Sequence, residues 1–134
     1  MNELNDPVSA GQTLCMELSV LFIRLINALS DAISRTGGKV LADQFVQQLN
    51  HFAGQHGWSV LTGLTDLTEL RCRAPDVDAR ALLSVYLSYT QYARALAGRI
   101  LGGQVLKSTL VALLNSLPPR LAQLNVQHGI IRLP

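Results

Sequence analysis

The chain has 134 residues, of which 49% are apolar and 15% charged, with a net charge of +2. At this length a single domain can bury roughly two-thirds of its unfolded surface, so its core needs neither a disulfide nor a metal. The 11 Lys and Arg are scattered rather than clustered, which argues against a nucleic-acid-binding face.

The charged share lies below the usual value of about 25%. A chain so short of charge either has a large core or buries apolar surface against a partner, and a second copy of itself is the simplest partner. The opening residues, 1–13, are acidic and polar and lack the basic start of a secretory leader, so a cytoplasmic protein is expected.

The first helix is predicted from Ser9 or Thr13 to Arg35. Pro7 suits a helix start, and Ser9 with Gln12 has the spacing of a capping box. Glu17, Arg24 and Asp31 recur at seven-residue intervals and should form a narrow polar stripe. Leu14, Leu18, Leu21, Phe22, Leu25, Ile26, Leu29 and Ile33 occupy most of the remaining circumference. A helix this apolar lies in the middle of something, whether its own chain or a subunit interface. The three charges in the stripe exclude an ordinary membrane span.

Gly37-Gly38 should end this helix, with glycine in the left-handed conformation after the last turn. A phosphate loop is excluded because no GxxxxGK[ST] surrounds the pair. A second helix is predicted from Lys39 to His56. Its apolar side is Val40, Leu41, Phe45, Leu49 and Phe52, and its polar side is Asp43, Gln47, Gln48 and Asn50.

A small β-hairpin is expected near residues 58–73. Trp58-Ser59-Val60-Leu61 is rich in strand formers, Leu67 to Arg73 alternates weakly, and Thr62-Gly63 and Thr65-Asp66 supply turn chemistry. Ile130 to Leu133 is a candidate extra strand. A third helix should run from Val77 to Leu101 behind Pro75 and a capping Asp76. A fourth covers Gln104 to Leu117 and stops at Pro118-Pro119. A short fifth spans Pro119 to Gln127, with Gly129 as its stop signal.

The halves echo one another. Shifted by 65 residues, Leu18-Ser19-Val20 falls on Leu83-Ser84-Val85, and Gly37-Gly38 falls on Gly102-Gly103. In all there are 12 identities in 33 ungapped pairs, from Leu18/Leu83 to Asn50/Asn115. Gln55-His56-Gly57 similarly resembles Gln127-His128-Gly129. The reading is one mainly α domain over residues 1–134, built of two pseudo-repeats (about 14–61 and 79–133). These form a four- to five-helix bundle of duplicated helical hairpins.

Candidate sites are few. His56 and His128 sit in matched contexts and read as helix-end residues, where histidine suits the dipole and glycine turns the chain. His51, five residues before His56, completes no metal pair, and no ligand set for zinc is spaced nearby. Cys15 and Cys72 lie in no CxxC context and read as reduced thiols. No GxSxG elbow or cysteine-protease context is present, so neither an enzyme nor a cofactor is expected. The residues assigned to core or interface are Leu18, Leu21, Phe22, Leu25, Leu29, Tyr86, Tyr89 and Tyr92. A ligand pocket, if formed, would be lined by Phe22, Phe45, Trp58 and Tyr89.

Three functions compete. The first is a non-enzymatic, homodimerising regulatory or scaffold module that binds a protein partner. The second is a sensor or carrier holding a small apolar ligand between helices. The third is a helix-turn-helix DNA binder, which the apolar, Gln-rich helices beside the glycine pairs disfavour.

Overall fold

The computed structural model describes residues 7–56 and 79–133, which form five helices and no strand. They are α1 (Pro7–Gly37), α2 (Lys39–Gln55), α3 (Ala79–Leu101), α4 (Gly103–Ser116) and α5 (Pro119–His128). Trp58, Cys72 and the expected hairpin at 58–73 lie outside the described residues.

The central element is α1. Its 31 residues span about 46 Å at the helical rise. It packs against α2, α3 and α4 and also touches α5. Leu18, Leu21, Phe22, Leu25 and Leu29 are all 2% exposed or less. The apolar circumference read in the sequence is therefore covered by the protein's own helices. The polar stripe is covered in part too. Glu17 is 18% exposed and accepts a two-pronged bond from Arg120 on α5, Nε to Oε2 at 2.8 Å and Nη2 to Oε1 at 3.1 Å. Arg24 is half-buried, and its buried Nε has no hydrogen-bond partner. Only Asp31 is exposed.

The start of α1 departs from expectation. Within the described residues α1 already runs from Pro7, which puts Ser9 within the helix. Proline at the first helical position lacks only an N–H that the helix leaves unbonded anyway.

Both glycine pairs join two helices with no intervening loop. Gly38 has φ 91° and ψ 169°, and Gly102 has φ 86° and ψ 157°. These values correct the left-handed cap expected from the sequence. The φ is positive, but the ψ lies in the extended region open essentially to glycine alone. Gly38 closes α1 by donating its N–H to Ser34 O at 2.9 Å, and its carbonyl accepts from Ala42 N at 3.2 Å to open α2. Gly102 repeats this with Gly98 O at 2.8 Å and Leu106 N at 3.1 Å.

The two junction glycines are 64 residues apart (102 − 38), one short of the spacing that carries the identities. Burial follows 64 as well. Leu18/Leu82, Phe22/Tyr86, Leu25/Tyr89, Leu29/Ala93 and Ile33/Ala97 are buried pairs, whereas at 65 the buried Ser19 meets the exposed Ser84. One residue turns a helix face by about 100°, yet the identical Ala32 and Ala97, 65 positions apart, are also both buried.

The chain leaves α4 through Leu117, held extended as the residue before a proline. Pro119 opens α5, and Gly129 ends it in the true left-handed conformation, φ 67° and ψ 38°. Beyond lies a short arm, not the strand expected at Ile130 to Leu133. The Asn125 amide donates to Ile131 O at 2.9 Å and accepts from Ile131 N at 2.7 Å. A side chain thus occupies the place a neighbouring strand would take, while Ile130 and Ile131 are buried.

Candidate functional site

Where α1, α2 and α3 meet, the core becomes aromatic. The Phe22 ring stacks on Tyr86 with centroids 4.5 Å apart and meets Tyr89 edge-on at 4.9 Å. Phe52 of α2 stacks on Tyr92 at 4.0 Å and approaches Tyr89 at 6.2 Å. The tyrosines are spaced by three residues, so they fan around α3 instead of lining up. Tyr86 points deepest, Tyr89 is buried beside it, and Tyr92 is half-buried towards the end of α2. Burial, followed by the neighbouring Tyr92, raises the pKa of Tyr89 well above its ordinary value.

Tyr89 also forms part of a groove of about 420 Å³. Helix α1 contributes Asn27 and Ser30, and α2 contributes Asp43, Gln47 and Asn50, while Ile26, Val46 and Leu49 supply apolar surface. The groove follows from pattern. On α2, Val46 and Leu49 turn toward the core and the residues between them toward water, so one rim is amide-rich and the floor is apolar. It offers hydrogen-bond donors and acceptors, one carboxylate and a tyrosine ring, which suits recognition.

Of the pocket residues expected from sequence, Tyr89 lines this groove. Phe22 and Phe45 are buried in the core and do not line it. Trp58 lies outside the described residues. Sequence reasoning passed over Asn27 and Ser30, whose signal was a pair of short polar residues one turn apart on an otherwise apolar helix, and read Asn50 only as part of the polar side of α2.

Two of the three histidines end helices, and His51 lies within α2. His56 is the residue after α2, its ring tilted against Phe52 at 4.5 Å. His128 is the last residue of α5, next to Gly129. Among the described residues, no three His, Cys, Asp or Glu side chains come together as a metal site. Among the same residues, no helix is long and apolar enough to cross a membrane.

Comparison with protein-family models, with curated proteins and with solved structures gives no match for this chain.

Proposed function

We propose that the protein is a non-enzymatic binding module that holds a small ligand between α1, α2 and α3. The observation carrying this reading is the 420 Å³ groove with Tyr89 in its wall. Its size falls within the roughly 300–1,000 Å³ of small-molecule sites, and it pairs apolar surface with a few convergent polar groups. The ligand is a flat, partly apolar molecule with polar edges, more polar than a purely apolar cargo, because Asn27, Ser30, Asp43, Gln47 and Asn50 would otherwise face hydrocarbon. Titration with indole and with phenol, followed residue by residue by nuclear magnetic resonance, tests it. Saturable shifts at Asn27, Ser30, Gln47 and Tyr89 are expected, and Ser30→Trp should abolish them by filling the groove. Shifts spread over the whole surface would overturn the reading.

A homodimerising regulatory or scaffold module is the second reading. One observation favours it: the outer face of α4 carries a single charge, Lys107, among Gln104, Val105, Ser108, Val111, Ala112 and Asn115. A charge-poor helix face of this kind suits a partner. Two helix–glycine–helix units derived from a common ancestor would give such an assembly its internal symmetry. A monomer at micromolar concentration by light scattering would sink this second reading and leave the first intact. A cytoplasmic location accords with both.

A further inference from the structure

A second cavity shares no residue with the groove. It holds about 230 Å³ between α3 and the C-terminal arm, and its polar lining includes Ser88, Gln91, Arg94 and Arg132. Among the described residues no carboxylate lines it, and neither arginine forms an ion pair.

The two guanidinium groups are placed, not loose. Arg94 Nη1 donates to the Arg132 carbonyl at 3.1 Å, which ties α3 to the arm. Arg132 Nε donates to the Gly129 carbonyl at 3.0 Å. A side chain at position 129 would collide with that guanidinium, since a Cβ there would lie 2.7 Å from Arg132 Nε. Gly129 turns the chain at φ 67°, and the exposed Arg132 guanidinium lies over it. The Asn125 clamp on Ile131 fixes the arm one residue before Arg132.

The arrangement has an electrostatic cost. Arg94 is half-buried, and its buried Nε has no hydrogen-bond partner. Burial, and then the charge on Arg132, lower its pKa. A buried, unsatisfied, charged donor beside a like charge is destabilising. An anion seated between the two would offset the repulsion of the like charges.

We infer that this cavity is a binding site for a phosphate group, held by Arg94 and Arg132 with Ser88 and Gln91 as neutral donors. Two arginines line one pocket with two neutral hydrogen-bonding side chains, Ser88 and Gln91, and a phosphate group has enough oxygens to accept from all four. The site stands or falls independently of the groove.

Inorganic phosphate is the probe, titrated into the full chain with sodium chloride at matched ionic strength as the comparison. Saturable shifts at Gln91, Arg94 and Arg132 with phosphate, absent with chloride, are expected. Arg132 is exposed, so Arg132→Gln should fold normally and weaken phosphate binding by about tenfold, the loss of one charge-assisted contact. Arg94→Lys keeps the charge but loses the fork and should also weaken it. Arg35→Gln, at the far end of α1, should leave it unchanged. A response that chloride reproduces, that fails to saturate, or that Arg35→Gln weakens as much as Arg132→Gln would overturn the proposal.

Discussion

Ser19 Oγ and Tyr86 Oη lie 2.6 Å apart in the core, joining α1 to α3 across 67 positions of sequence. Both residues are buried, and Tyr86 is at the same time stacked on Phe22. The hydroxyl pair gives each of the two buried groups a partner in the register that the two longest helices adopt. Tyr86→Phe keeps the stacked ring and loses the bond. It should cost about 1–2 kcal/mol, as should Ser19→Ala. The double variant should cost less than the sum, since one interaction is removed twice. Urea unfolding of the four proteins measures this, and strict additivity would show that the hydroxyls do not act on each other.

Neighbouring glycines should respond in opposite senses. Gly102 holds φ 86°, so Gly102→Ala forces an alanine into a glycine-only conformation and should destabilise by roughly 1–3 kcal/mol. Gly103 is the first residue of α4, and a Cβ there would meet nothing within 4 Å. Gly103→Ala should be neutral or stabilising by up to about 1 kcal/mol, through the unfolded chain it restricts. Thermal midpoints of the two variants should fall on opposite sides of, or at, the parent value. Equal losses would mean that the junction does not depend on its φ.

This contrast also shows what the sequence could and could not convey. Helix existence was plain, because apolar spacing, Pro7, both glycine pairs and Pro118-Pro119 are local signals. The conformation of Gly38 was not, because two helices meeting without a loop is a tertiary outcome. The arm at Ile130 to Leu133 reads as a strand by composition, yet its backbone partner is the Asn125 side chain six residues earlier. No periodicity reports such a bond. The groove was half legible. Tyr89 stood out by type, but Asn27, Ser30 and Asn50 gain meaning only once α1 lies beside α2. Arg94 and Arg132, 38 residues apart, carried no signal at all.

Low charge and an apolar first helix pointed to a partner, and Leu25 discriminates. Its side chain is fully buried within the protomer. Leu25→Ala should cost about 2–5 kcal/mol from lost contacts and the cavity left behind. Leu25→Asp should prevent folding by burying a charge without a partner. The loss in Leu25→Ala should be the same at low and high protein concentration, because the cover comes from the same chain. A Leu25→Ala loss that itself changes with concentration would place a second copy against α1.

Tyr89 gives stability a dependence on alkali. Its pKa in the folded protein is raised above the ordinary 10.0, chiefly by burial. Below that ordinary value the tyrosine is neutral in both states and its burial contributes in full. As pH rises past it, the unfolded chain releases the proton while the folded chain retains it. Unfolding is then favoured by up to about 1.4 kcal/mol per pH unit for this group. Tyr89→Phe has no proton to lose, so the parent should lose stability relative to the variant between about pH 9 and pH 11. Urea midpoints of both proteins at the two pH values measure the difference. Parallel losses would mean that the Tyr89 hydroxyl is as free to ionise in the fold as outside it.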